Sequence, residues 1–216
     1  MVSFTDAVYG VVLLGSIIAV LFLSKLIKNP YVSRKSIHLW VGVVILIIPF
    51  LLKDPVVVGI LCLLLTTFTM IPHVRKKELP WFQFKEIFGE VYFAALTTLL
   101  LTASWHYDIW LAVTALLFMA WGDGVTGIVR NYVYKRRYKG IAGTYAMIAV
   151  SVPVGFIVYG WSHGWANGWI GVVGALVASY VEKLEVMDDN VSIPVFGYAI
   201  MFVLQGLLGV SAVVRN

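Results

Sequence analysis

Cysteine is nearly absent from this chain. Cys62 stands alone, which excludes an intrachain disulfide framework and a cysteine-based metal site. Charge is scarce as well: Asp, Glu, Lys and Arg make up 12% of the 216 residues, against 61% that are hydrophobic. A soluble domain is about 45–50% apolar, so a soluble globular class is excluded, and the mean hydropathy of +0.91 agrees. No Pro/Ser-rich linker or charge block divides the sequence, and a single integral-membrane domain over residues 1–216 is expected. The start, Met-Val-Ser-Phe-Thr-Asp, lacks the basic region of a signal peptide, so the first apolar run is expected to be retained. No Gly-x-x-x-x-Gly-Lys-Ser/Thr pattern occurs, which excludes a Walker-type phosphate loop.

What the chain does have is long apolar runs. Eight are readable, at about 7–24, 38–52, 55–72, 91–105, 107–121, 145–161, 168–182 and 194–214. Lipid leaves backbone polar groups no partner but each other, so helices are the default. The expected fold is an all-α polytopic membrane protein, a bundle of about seven to eight transmembrane helices. Gly-x-x-Gly spacings at Gly171/Gly174 and Gly206/Gly209 read as close helix packing.

Of 27 charged residues, 22 fall in four segments, 25–38, 73–90, 122–144 and 182–193, each following an odd-numbered run. These segments hold 14 of the 16 Lys and Arg, leaving Lys53 and Arg215 for the other face. Basic residues collect on the cytoplasmic side, so the four loops are expected in the cytoplasm and both termini outside. Topology thus accounts for the net charge of +5, and no nucleic-acid partner is expected. Trp105, Trp110, Trp161, Trp165 and Trp169 would form an outer aromatic belt.

Topology does not account for the acids. Asp123, in Trp121-Gly122-Asp123-Gly124, directly follows an apolar run, where a carboxylate is costly as decoration and natural as a Mg²⁺ ligand. Glu182, Glu185, Asp188, Asp189 and Asn190 form an acidic cluster against the basic trend of the other loops, and Asp188-Asp189-Asn190 offers hard oxygen ligands. Helix capping before the last run explains one of them, not the set. Arg34 and Lys35 open the second run, where cations and a helix N-terminus would make an anion site, with His38 one turn on. Lys139, close to Gly143-Thr144, is the better nucleotide contact in its loop; Lys135, Arg136 and Arg137 suit anionic headgroups equally well. Segment 73–90 reads as an interfacial amphipathic stretch with no catalytic part. Cations, a membrane-edge carboxylate and an acidic cluster on one face suit phosphoryl or nucleotidyl transfer to a lipid at headgroup level.

The chain resembles the membrane-embedded polyprenol kinase family, which includes dolichol kinase, phytol kinase and the CTP-dependent diacylglycerol kinase. The resemblance rests on Arg34-Lys35…His38…Gly42, Gly122-Asp123, Lys139…Gly143-Thr144…Ala146-Met147 and Asp188-Asp189-Asn190…Pro194, four motifs in order over residues 34–194. Ala142 stands where the family often has Glu, and the usual Gly-Arg is reduced to Val129-Arg130. The resemblance implies transfer of the γ-phosphate of CTP, or another nucleoside triphosphate such as ATP, to an isoprenoid alcohol in the bilayer. By the same resemblance Asp123, Asp188 and Asp189 would hold Mg²⁺, and Arg34, Lys35, Lys139, Gly143, Thr144 and Asn190 would contact the nucleotide. His38, Asp123 and Asp189 are the candidate catalytic residues. The alternatives are a CDP-lipid synthase-type cytidylyltransferase and a membrane transporter.

Overall fold

The structure is a computed structural model that describes residues 3–135, 138–184 and 187–213. Every regular element among them is helical, apart from an isolated bridge between Phe84 and Ile87. The protein is an all-α polytopic integral membrane protein. Six helices are long and apolar enough to cross a bilayer: Phe4–Leu26, Pro30–Leu51, Pro55–Val74, Ile109–Tyr134, Ile141–His163 and Asp189–Leu207. Gly89–Ser104 is a shorter apolar helix, and Gly168–Leu184 has 17 residues. The chain forms two compact units, Met1–Thr102 and Ala103–Asn216.

The first unit holds α1 (Phe4–Leu23), α2 (Pro30–Leu51), α3 (Pro55–Val74) and most of α4 (Gly89–Ser104). Its helix starts are set by short polar caps. Ser3 Oγ accepts the Asp6 N–H, Asn29 Oδ1 accepts those of Tyr31 and Val32, and Asp54 Oδ1 accepts that of Val56. Buried Asp6 accepts the backbone N–H groups of Lys53 and Asp54 at 3.1 and 2.8 Å. That carboxylate pins the α2–α3 turn to the start of α1. Outward side chains of α1 and α3, such as Val11, Val12, Leu63 and Leu64, are exposed, as expected where the solvent is lipid.

In the second unit α5 (Ile109–Leu117) runs through a six-residue π turn, Phe118–Asp123, into α6 (Gly124–Tyr134). Every residue from Ile109 to Leu117 is buried. An all-round apolar helix of this kind belongs at the centre of a bundle. It is packed by α7 (Ile141–His163), α8 (Gly168–Leu184) and α9 (Asp189–Leu207). Glycine sets the α7–α8 approach: a Cβ on Gly155 or Gly171 would enter the other's backbone carbonyl. Gly174 likewise admits Met201, so the packing reading holds there. It fails at Gly206 and Gly209, which face open space within the chain.

Two boundaries depart from the sequence reading. The second helix begins at Pro30 rather than near residue 38, because Asn29 caps it and Pro30 supplies a pre-set first residue. Segment 122–144 is not a loop throughout, because helix continues through Asp123 to Tyr134.

Candidate functional site

The second unit gathers its acids where α8 ends and α9 begins. Carboxylate oxygens of Asp123, Glu182 and Asp189 all lie within 4.8 Å of one another. Asp123 is the last residue of the π turn, Glu182 sits in the final turn of α8, and Asp189 is the first residue of α9. Asp123 and Glu182 are buried and Asp189 is half-buried. Glycine is required beside Asp123: a Cβ on Gly122 would run into Ser151 Oγ and Met147 Sδ of α7. A π turn widens the helix by one residue per turn, a device often found at functional positions.

Two cations stand against these three acids. Arg130, on α6, pairs with both oxygens of Glu182, Nη1–Oε1 at 2.5 Å and Nη2–Oε2 at 3.1 Å. Its guanidinium lies so close to Gly143 that any Cβ there would overlap it. Lys139 Nζ donates to Asp189 Oδ1 at 3.0 Å and to the Glu182 carbonyl at 2.5 Å. The start of α7 is fastened to α6 by Thr126 Oγ1 on the Gly143 carbonyl and by the Ala142 N–H on the Tyr134 hydroxyl. Thr144 follows in the first turn of α7, half-buried.

Of the acids read from the sequence, Asp123 and Asp189 come together and Asp188 takes another position. Asp188 is the N-cap of α9, its Oδ1 accepting the Asn190 N–H at 2.9 Å and Asn190 Nδ2 at 2.6 Å. Capping therefore explains Asp188, and Glu182 takes its place in the cluster. Asn190 Oδ1 is buried without a hydrogen-bond partner. Glu185, Arg136 and Arg137 lie outside the described residues.

Arg34, Lys35 and His38 belong to the first unit. The anion site expected of their helix start is not formed. Pro30 has no N–H, Asn29 Oδ1 takes those of Tyr31 and Val32, and the Ser33 N–H goes to the Asn29 carbonyl. Arg34 lies inside α2 and pairs with Glu90 at 3.3 Å, while Lys35 sits over the Tyr31 ring at 5.7 Å. His38 is buried and stacked on Phe93. Segment 73–90 holds more than an interfacial stretch, because Glu90 also receives His73 Nε2 at 2.6 Å.

Sequence reasoning put Glu182 in the acidic cluster but not among the metal ligands, and gave Arg130 no role in the site. Helical spacing held a signal for the acid: Ala175, Ala178, Ser179 and Glu182 fall on one buried face of α8. An acid on a buried stripe needs a partner, and Arg130 is that partner.

Clustered carboxylates in a largely buried place repel one another, which favours a cation among them. Mg²⁺ prefers hard oxygen ligands at about 2.0–2.1 Å, so opposed ligands stand about 4 Å apart. The observed spread is near that value and the donor chemistry fits. No family model, curated protein or solved structure matches the chain.

Proposed function

We propose that the protein is a membrane lipid kinase that transfers the γ-phosphate of CTP, or another nucleoside triphosphate, to an isoprenoid alcohol. The observation that carries this reading is the cluster of the Asp123, Glu182 and Asp189 carboxylates with Lys139 at its edge. The four-motif resemblance supplies the reaction. Asp123 and Asp189 would hold Mg²⁺, and Arg130 fixes the Glu182 carboxylate behind them. Bound Mg²⁺ would supply positive charge to offset that of the phosphates. Lys139 swings from Asp189 onto the triphosphate, a move its long side chain allows. Asn190, Gly143 and Thr144 line the nucleotide's approach. The 14-to-2 division of basic residues supports a cytoplasmic site with both termini outside.

The test is product identification. Purified protein in lipid receives Mg²⁺, labelled CTP, ATP or GTP, and a panel of isoprenols and diacylglycerol. The reading expects a nucleoside diphosphate and a lipid monophosphate. Pyrophosphate with a CDP-lipid would establish the cytidylyltransferase instead. One observation favours a transporter: Asp123 lies within a 26-residue apolar helix at a π turn. Ion flux in proteoliposomes without nucleotide turnover would select that reading.

A further inference from the structure

The last turns of α3 present two faces, and these are finished differently. The inward face is tied down. His73 Nε2 meets Glu90 Oε1 at 2.6 Å, and His73 Nδ1 lies 3.7 Å from Glu78 Oε1. Gln83 Nε2 donates to the Thr69 carbonyl and Gln83 Oε1 accepts the Leu79 N–H, each at 2.9 Å. The outward face is bare. It carries an open groove of about 270 Å³, lined by Thr66, Thr67, Met70, Ile71, Val74 and Arg75. Met70, Ile71 and Val74 are exposed, and among the described residues α3 and the Arg75 that follows it supply the whole lining.

Positive charge gathers at one end of this groove. Arg75, Lys76 and Lys77 follow directly on α3, all three exposed, and none of them has an ion pair among the described residues. Glu78, the next acid along the chain, faces His73 instead. The turn that carries the cations is held in place. Lys76 takes the left-handed conformation at φ 52°, and the N–H groups of Lys76 and Lys77 close on the His73 and Pro72 carbonyls at 3.0 and 2.8 Å. Basic residues at the end of a span are ordinary topology. A groove that leads up to them is not explained by topology.

A mostly apolar surface with three cations at one end matches an amphiphile with an anionic head. A zwitterionic headgroup leaves the cations in excess, and a free phosphate leaves the groove unfilled. From Thr66 to Val74 the groove runs about 12 Å along the helix axis, the reach of part of one hydrocarbon chain. Its open side faces the lipid, so a chain can lie along α3 without any helix moving. Arg75, which lines the groove's end, offers the planar fork of donors that fits phosphate, and the lysines add point charges. We propose that this face of α3 binds one anionic phospholipid, an acyl chain in the groove and the phosphate on Arg75. Lys76 and Lys77 hold the remaining negative charge of the head. The kinase reading has no part in this site.

The experiment is native mass spectrometry of the full-length protein in non-ionic detergent, titrated with dioleoyl phosphatidylglycerol or dioleoyl phosphatidylcholine. The first phosphatidylglycerol should bind at least about tenfold tighter than phosphatidylcholine. Arg75→Gln should weaken it about fivefold, the size of one basic residue's attraction to an anionic lipid. Neutralising Arg75, Lys76 and Lys77 together should bring it to the phosphatidylcholine level. Ile71→Trp fills the groove and leaves every charge in place, and it should also weaken phosphatidylglycerol about fivefold. These positions are exposed, so the variants should fold, which an unchanged unfolding midpoint checks. Lys53→Gln, one cation fewer before the other end of α3, should leave binding within about twofold. Equal affinity for the two lipids, or native affinity in the triple variant, would overturn the proposal. So would a loss in Lys53→Gln equal to that in Arg75→Gln, or displacement of the lipid by millimolar glycerol 3-phosphate. Native affinity in Ile71→Trp would leave a cationic patch without a groove site. A dimer that holds no lipid and is broken by Ile71→Trp would give the groove to a second copy of the chain; either result rejects the site proposed.

Discussion

The second unit buries a polar cluster at each end of its helices, and the two are balanced differently. Where α5 begins and α7 and α9 finish, one carboxylate, Asp108, is saturated. It accepts His163 Nε2 at 2.6 Å, Gln205 Nε2 at 2.7 Å and the Leu111 N–H at 3.2 Å. Tyr159 stacks on His163 with ring centroids 4.1 Å apart. Where α7 and α9 begin, three carboxylates meet two cations. The first cluster is a closed lock between three helices. The second brings three carboxylates within 4.8 Å of one another. Burial of acids is common to both, so what distinguishes the second is the clustering of three carboxylates, which the proposed function reads as a ligand site.

Substitutions at the two ends should separate these roles. The largest effect is expected at Glu182, because Glu182→Ala strands the buried Arg130 guanidinium. A loss of about 3–5 kcal/mol is typical when one partner of a buried pair is removed, read as a lower unfolding midpoint in detergent. Replacing both residues with Leu should recover most of it. Asp123→Asn or Asp189→Asn should act on turnover instead, lowering it at least about 100-fold, or about 2.7 kcal/mol at 1.36 per factor of ten. The unfolding midpoint should hold or rise, since a like charge leaves a crowded group. A fall in stability equal to that of Glu182→Ala would make these acids structural.

At the opposite end, Asp108→Ala removes the acceptor for three donors and should cost about 2 kcal/mol. The folded fraction should keep its turnover within about twofold. If turnover collapsed as it does for Asp189→Asn, the division between lock and site would be lost. The smallest change is Gly143→Ala. It forces the Arg130 guanidinium aside at a cost of about 1–2 kcal/mol, with partial loss of turnover through the displaced Glu182.

Much of this arrangement was legible before the fold was known. Runs of apolar residues gave the helices, and α3, α7 and α8 begin or end within a few residues of their runs. Asp123 and Asp189 stood out because charge topology had no use for them. The Asn29–Pro30 start was hidden, because eight polar and mixed residues precede the apolar part of α2. The continuation through Gly122-Asp123-Gly124 was hidden too, since two glycines around a charge read as a loop, whereas Gly122 is needed for close packing on Met147 and Ser151. Choosing Glu182 over Asp188 required three dimensions. Asp188 and Asp189 are adjacent in sequence, yet one turns back to cap Asn190 and the other turns toward Glu182.

The most direct measurement is Mn²⁺ binding, followed by electron paramagnetic resonance with a non-hydrolysable nucleoside triphosphate present. The account expects one protein-bound Mn²⁺ per chain, lost in Asp123→Asn and in Asp189→Asn and retained in Asp108→Asn. Retention of that ion in both cluster variants, or its loss in Asp108→Asn alone, would contradict it.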